Sequence, residues 1–167
     1  WCVCSALAQA WQRLRGGGPE RLGRQPRAWW GMLLAHAGVG LFIFGVTLSG
    51  GFESRRELTL APGTPVSVGG FEFRLGATER VQGPNYDAQR VAVTVSRDGR
   101  ELRVLHPEKR LYRAQAMPLS HAAIATGLQR DLLVGLGEPV GDGAWSLRIQ
   151  VKPFLAWIWI GCALMAA

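Results

Sequence analysis

Between Ala28 and Phe52 the chain runs for 25 residues without a charge. As an α-helix rising 1.5 Å per residue, that run reaches about 37 Å, enough to cross a bilayer. Trp29 and Trp30 stand where such a helix would enter the interface, as aromatic belts do, and Gly50-Gly51 is expected to end it near Ser49. The one titratable side chain inside the run is His36. The midpoint of the run is Gly40, which puts His36 only about 6 Å from mid-membrane along the axis. A polar ring at that depth needs a partner and marks a functional site by default.

Gly31, Ala35, Gly38 and Gly45 recur at spacings of 4, 3 and 7, so one face of the helix is nearly bare backbone. Faces of that kind let a second helix pack closely. Gly40 lies one turn beyond His36 on the same side, and its missing side chain leaves room for something flat beside the imidazole. A haem plane fits that space, and so does an aromatic side chain of another helix. On depth and neighbours, three roles stand open for His36: haem axial ligand, proton relay, or hydrogen-bonded packing residue. A bis-histidine haem also needs a second imidazole at the same depth, and His106 and His121 both fall in polar sequence.

The chain begins without Met, inside one apolar stretch, and stops inside another, so it reads as a piece of a longer membrane protein. Residues 1–11 are expected to be the last turns of a membrane helix, with Trp11 at the interface. Residues 12–27 form a Gly/Arg/Pro loop in which Gly16-Gly17-Gly18-Pro19 stops any helix. Residues 28–50 are the complete membrane helix, 51–152 a polar domain, and 153–167 the start of a further membrane helix carrying Trp157 and Trp159. The net charge of +7 could suggest nucleic acid. The dense part of it, however, is the short loop, where Arg13, Arg15, Arg21, Arg24 and Arg27 against Glu20 give +4. The positive-inside rule accounts for such a loop, which leaves no case for nucleic acid, places it in the cytoplasm and puts residues 51–152 on the periplasmic side.

That polar region reads mostly as strands. Glu57 to Leu60 alternates, and Arg90 to Ser96 holds a strict period of two. Pro65–Val68 and Phe71–Leu75 flank Gly69-Gly70, and Arg97-Asp98-Gly99-Arg100 precedes a strand at Glu101–Leu105; both are hairpin signals. Arg130–Gly135 and Trp145–Val151 complete the set. Ser120 to Gln129 is expected as a short helix with Ser120 as N-cap. The predicted fold is a membrane protein whose transmembrane α-helices flank a small antiparallel β-rich domain, barrel- or sandwich-like.

The three cysteines, Cys2, Cys4 and Cys162, lie in apolar segments and are expected to be small buried residues. No disulfide framework is present, and the thiol-free middle suits an oxidising compartment. His106 and His121 form a weak metal signal without a nearby Cys or third His, and are expected as solvated loop residues. Arg90 and Arg130-Asp131 are expected as surface or strand-edge charges. No Ser/His/Asp order, P-loop or paired-carboxylate signature points to a hydrolase or a kinase.

Gly31-Met32-x-Leu34-Ala35-His36-x-Gly38, followed by a short β domain, resembles the CcmF/NrfE family of cytochrome c haem lyase subunits. Further matches follow in order: Gly83-Pro84-Asn85-Tyr86, Pro107-Glu108-Lys109-Arg110-x-Tyr112, Met117-Pro118, Arg130-Asp131-Leu132-x-Val134-x-Leu136-Gly137-Glu138 and Lys152-Pro153-Phe154-x-x-Trp157-Ile158-Trp159. The family usually has Tyr where this chain has His106, and Thr-Glu where it has Ser120-His121, which argues against a family-wide role for those histidines.

The resemblance implies covalent attachment of haem to CxxCH cysteines of apocytochrome c on the periplasmic side of the bacterial inner membrane. It implies a haem chaperone, apocytochrome c and other maturation subunits as partners. It also implies a b-type haem among the membrane helices, with His36 matching one iron ligand, and a role in reducing the incoming haem iron; Gly40, one turn on from His36, is then expected to face that haem. The tryptophan-rich loop and flanking histidines that hold substrate haem in the family are not in this sequence, and Trp29-Trp30 resembles that loop only in composition. The expected role is therefore part of a haem lyase subunit, not active alone. The competing reading is a membrane-anchored β domain that docks partner proteins without a cofactor of its own.

Overall fold

The computed structural model describes residues 2–15, 26–114 and 117–166. The chain divides into two compact units, Trp1–Phe52 with Pro153–Ala167, and Glu53–Lys152.

The first unit is helical. Helix α1 spans Cys2–Arg15, α2 Arg27–Gly51 and α3 Leu155–Ala166. Helix α1 thus continues through Gln12–Arg15, which the sequence assigned to the loop, and the Gly16–Pro19 stop lies outside the described residues. By length and composition α2 suffices to cross a membrane, whereas α3 is a shorter apolar helix. Pro26 sits in extended geometry just before α2, and the helix closes with the Phe52 amide donating to the Leu48 carbonyl. Both α1 and α3 pack on α2. Cys4 is exposed and Cys162 half-buried, so the expectation that the cysteines are buried fails at Cys4.

The second unit is a sandwich of two antiparallel sheets. Its strands are β1 Ser54–Leu60, β2 Pro65–Val68, β3 Phe71–Gln82, β4 Tyr86–Arg97, β5 Arg100–Leu105, β6 Glu108–Tyr112, β7 Pro118–His121, β8 Ala123–Ala125, β9 Arg130–Gly141 and β10 Ala144–Pro153. One sheet runs β1-β10-β9-β8 and the other β2-β3-β4-β6-β7, with β5 paired to β4. Period-two alternation fills the space between them. Phe71, Phe73 and Leu75 of β3, Val91, Val93 and Val95 of β4, Leu132, Val134 and Leu136 of β9, and Trp145, Leu147, Ile149 and Val151 of β10 form one buried core. Burying such side chains contributes roughly 1.5–3 kcal/mol each before entropy is counted. The β2–β3 and β4–β5 turns use left-handed pairs, Gly69 with Gly70 and Asp98 with Gly99, whose φ values are 59°, 79°, 52° and 75°. Such turns match strand twist and need residues that tolerate positive φ.

The expected helix over Ser120–Gln129 is absent. Ser120 of β7 pairs with Lys109 of β6, and its hydroxyl donates across the sandwich to the Leu136 carbonyl at 2.5 Å rather than capping a helix. Ala123–Ala125 instead pair with Leu132–Val134. Long-range ladder bonds and burial of Ala125 outweigh the local helix preference of this stretch, since propensity is a weak prior against tertiary context.

Candidate functional site

Helix α2 has two unlike sides. On one, Gly38, Gly45 and Ser49 are buried. A Cβ at Gly38 would lie 2.7 Å from the Gly161 carbonyl oxygen, and one at Gly161 would lie 2.6 Å from the Phe42 amide nitrogen. The bare-backbone face read in the sequence is thus where α3 approaches, except that Gly31 meets nothing within 4 Å. Phe44 and Trp157 close the contact with ring centroids 5.6 Å apart.

His36 lies two residues from Gly38, about 200° around the axis, and is exposed along with Met32 and Ile43. Its Nδ1 is 2.8 Å from the Met32 carbonyl oxygen, one turn earlier. A carbonyl can only accept, so Nδ1 carries the proton in this pair. In the neutral ring Nε2 then holds the lone pair and can bind a metal or accept a proton. Gly40, one turn on, is half-buried.

A second concentration of polar groups lies in the sandwich. The Glu108 side chain is 7% exposed and sits between two guanidiniums, Arg90 at 2.6 Å and Arg110 at 2.7 Å. Burial is the largest single influence on its carboxyl and pushes its pKa up. The hydrogen bonds and charges of Arg110 and Arg90 together outweigh that and hold it below the usual carboxylate range. The same contacts raise both arginines, with the Glu108 hydrogen bond foremost. Arg110 also lies over the Tyr86 ring at 4.4 Å, and Tyr86 packs against Tyr112 with centroids 5.5 Å apart. Gly83 fits beneath that ring, where a Cβ would come within 2.4 Å of Tyr86 Cζ. Four sequence motifs therefore meet at one place: Gly83–Tyr86, Pro107–Tyr112, Met117-Pro118 and the Leu136–Glu138 part of β9. Lys109 ties the last of these in, donating to the Gly137 carbonyl at 3.1 Å and pairing with Glu138. Beside it the sheets part around a cleft of about 570 Å³ whose lining includes Arg80, Asp87, Lys109, Leu111, Pro118 and Glu138.

Two expectations need correction. Arg90 is no mere surface charge, because it pairs with a buried carboxylate. Asp131 is buried too, its Oδ1 accepting from the Gly127 amide at 3.0 Å. A signal for the network was present: alternation puts Glu108 and Arg110 on one face of β6, and the β4 register sets Arg90 directly opposite Glu108. Only the pairing of strands distant in sequence reveals it. His106 and His121 are both exposed, and among the described residues no group of three or more His, Cys, Asp or Glu could hold a metal.

Fold and site together define a β-sandwich set in sequence between apolar helices, one of which carries an exposed histidine. Residues 51–153 match the family model described as the CcmF C-terminal beta-sandwich. The cytochrome c-type biogenesis protein CcmF of Pseudomonas aeruginosa is 45% identical over 139 residues, covering 83% of this chain and 21% of that protein. Its Escherichia coli counterpart is 34% identical over 166 residues, 99% of this chain and 25% of the relative. NrfE of Haemophilus influenzae is 30% identical over 166 residues, 99% and 24%. Among solved structures, one titled Cytochrome c Heme Lyase CcmF superposes with a TM-score of 0.78 at 20% identity, over 99% of this chain and 27% of that one; that likeness speaks to fold alone. The chain belongs to the CcmF family of cytochrome c-type biogenesis proteins, and it spans about a quarter or less of the length of these curated relatives.

Proposed function

We propose that this chain is part of a multi-pass haem lyase subunit of the bacterial inner membrane, and that His36 is an axial ligand to a b-type haem held among its helices. The observation that carries this reading is the Nδ1 contact to the Met32 carbonyl. A ligating histidine needs its other nitrogen held by an acceptor, which fixes the tautomer and aims the ring. Here the helix's own backbone is that acceptor, leaving Nε2 for iron. The same side of α2 is not the side covered by α3, and Gly40 offers no side chain beside the imidazole. A haem bound there supplies one-electron chemistry. His36 would hold the iron through Nε2, the Met32 carbonyl would orient its ring, and Gly40 would leave space beside it for the porphyrin.

In this proposal residues 1–11, 28–50 and 153–167 lie in the membrane, 12–27 face the cytoplasm and 51–152 the periplasm, where a haem chaperone, apocytochrome c and other maturation subunits meet. The names of the relatives support a place in cytochrome c maturation. The arginines preceding α2 support the orientation.

The test is spectroscopic. Purified full-length protein should show a b-type Soret band that His36→Gly abolishes and added imidazole restores, because the cavity then accepts a free ligand. Gly40→Leu should also lose the band while still inserting, yet should not respond to imidazole, since its defect is steric. Normal spectra in both variants would make His36 a packing residue and end this reading.

A further inference from the structure

We propose that one end of the sandwich is a docking surface for the headgroups of anionic phospholipids. This rests on the reading of α2 and α3 as membrane-spanning. Strand direction places three connections at the same end: the Gly69-Gly70 turn, the Asp98-Gly99 turn and the β8–β9 loop at Thr126–Gln129. It is also where β1 starts, at Ser54, and where β10 ends, Val151 being paired with Ser54. A Cβ at Gly69 would touch Val151, at 2.9 Å from its Cβ, which ties the β2–β3 turn to that end. The chain therefore enters and leaves the sandwich here, with Phe52-Glu53 joining α2 to β1 and Phe154 joining β10 to α3.

The chemistry of this end is basic with an apolar tip. The guanidiniums of Arg97 and Arg130 both lie over the Phe71 ring, at 5.6 and 5.2 Å, so two loops present their cations side by side. Arg100 and Arg103 on β5 are exposed and form no ion pair among the described residues. Set against these four are Glu101, Asp98 paired with Arg97 at 3.6 Å, Glu72 paired with Arg74 at 3.2 Å and Glu53 at 3.8 Å from Lys152, while Asp131 is buried on the Gly127 amide. In the β8–β9 loop, two residues before Arg130, lies Leu128, 71% exposed. An exposed leucine among arginines suits a bilayer interface, where the apolar group enters the headgroup boundary and guanidiniums bind phosphate in bidentate fashion. Nothing in this arrangement calls for a protein partner.

The experiment uses the full-length protein in nanodiscs of pure phosphatidylcholine, or of phosphatidylcholine with one-third phosphatidylglycerol. Amide hydrogen exchange is followed over residues 97–100 and 126–130. Anionic lipid should slow exchange there, and the double variant R100Q R103Q should weaken the slowing, on the order of fivefold for each arginine near the surface. Those two side chains stand clear of the core, so the fold is kept. Leu128→Ser should reduce protection in either lipid. Equal exchange in both lipids, slowing unaffected by R100Q R103Q, or slowing that appears only when a protein partner is added would each overturn the proposal. The α2 amides report separately on the membrane reading, because a spanning helix stays protected in both lipids whatever the sandwich does.

Discussion

Two ionisable side chains, Glu108 in the sandwich and His36 in the helical unit, are treated in opposite ways. Glu108 in β6 is buried and complete: two guanidiniums hold its oxygens at hydrogen-bonding distance. His36 in α2 is exposed, and the contact that fixes its tautomer comes from its own helix. A buried carboxylate without partners is too costly to persist, so the sandwich had to enclose Glu108 with its cations. Helix α2 instead turns Gly38 and Gly45 to the side opposite His36, where they admit α3. One group is enclosed with its partners, while the other stays exposed on its helix.

The sharpest way to break this contrast is to remove the carboxylate. Glu108→Ala leaves Arg110 without its carboxylate and Arg90 with only the exposed Glu79, at 3.4 Å. Removing one partner of a buried pair costs about 3 kcal/mol, the lower end of the usual range because both arginines are partly exposed. For a domain of about 100 residues that is a fall of roughly 10–20 °C in Tm, to be read as earlier opening of the β4 and β6 amides in hydrogen exchange. Unchanged opening would reduce the network to decoration.

Acid should erase the same contribution. Glu108 has a pKa below its ordinary value of 4.5 when folded, so the unfolded chain binds a proton first as pH falls. Its stabilisation is complete above about pH 5 and is lost as pH drops through the folded value. Glu57 is depressed as well, chiefly by the Arg55 hydrogen bond and then by Arg148. It is about half exposed, and pairs of that kind contribute little. Denaturation profiles below pH 5 should therefore flatten markedly in Glu108→Gln and hardly at all in Glu57→Gln.

A smaller effect is expected at Gly83. Alanine there would press a methyl into the Tyr86 ring, and the ring can move only by disturbing Arg110 and Tyr112. Overpacking of that kind costs about 1–2 kcal/mol, visible as a lower urea midpoint at constant slope. Gly83→Ala should act less than additively with Arg110→Ala, since both loosen one cluster.

The other half of the contrast predicts almost nothing for stability. With haem removed from both proteins, His36→Ala should change helix and sandwich melting by less than about 0.5 kcal/mol, as exposed substitutions do, while in the loaded protein it weakens the b-type Soret band. A large melting effect would show His36 to be structural after all. The smallest effects belong to His106→Tyr and His121→Glu, which should leave cytochrome c maturation by the full-length protein near wild type at equal protein levels.

The sequence alone determined those elements whose physics is local. An uncharged run of 25 residues reads as a helix, and α2 covers it as far as Gly51, two residues past the end expected near Ser49. Strict alternation from Arg90 to Ser96 faces one way or the other, and Val91, Val93 and Val95 are indeed inside. Gly69-Gly70 and Asp98-Gly99 make turns because few other pairs accept two positive φ angles. The isolation of His36 in an apolar run was equally plain.

Tertiary structure decided what depends on pairing across distance. Ser120 reads as a helix cap until β9 offers it the Leu136 carbonyl, 16 residues away. Arg90 reads as surface charge until the pairing of β4 with β6 brings Glu108 to it, 18 residues along the chain. Which side of α2 faces α3, and therefore which side His36 keeps, follows from the close approach of Gly38 to Gly161, more than 120 residues apart. Local preferences are worth tenths of a kcal/mol to about one per residue, whereas a buried charge or a closed ladder is worth several. Where the two disagree, the long-range term prevails, and it cannot be read from neighbours along the chain.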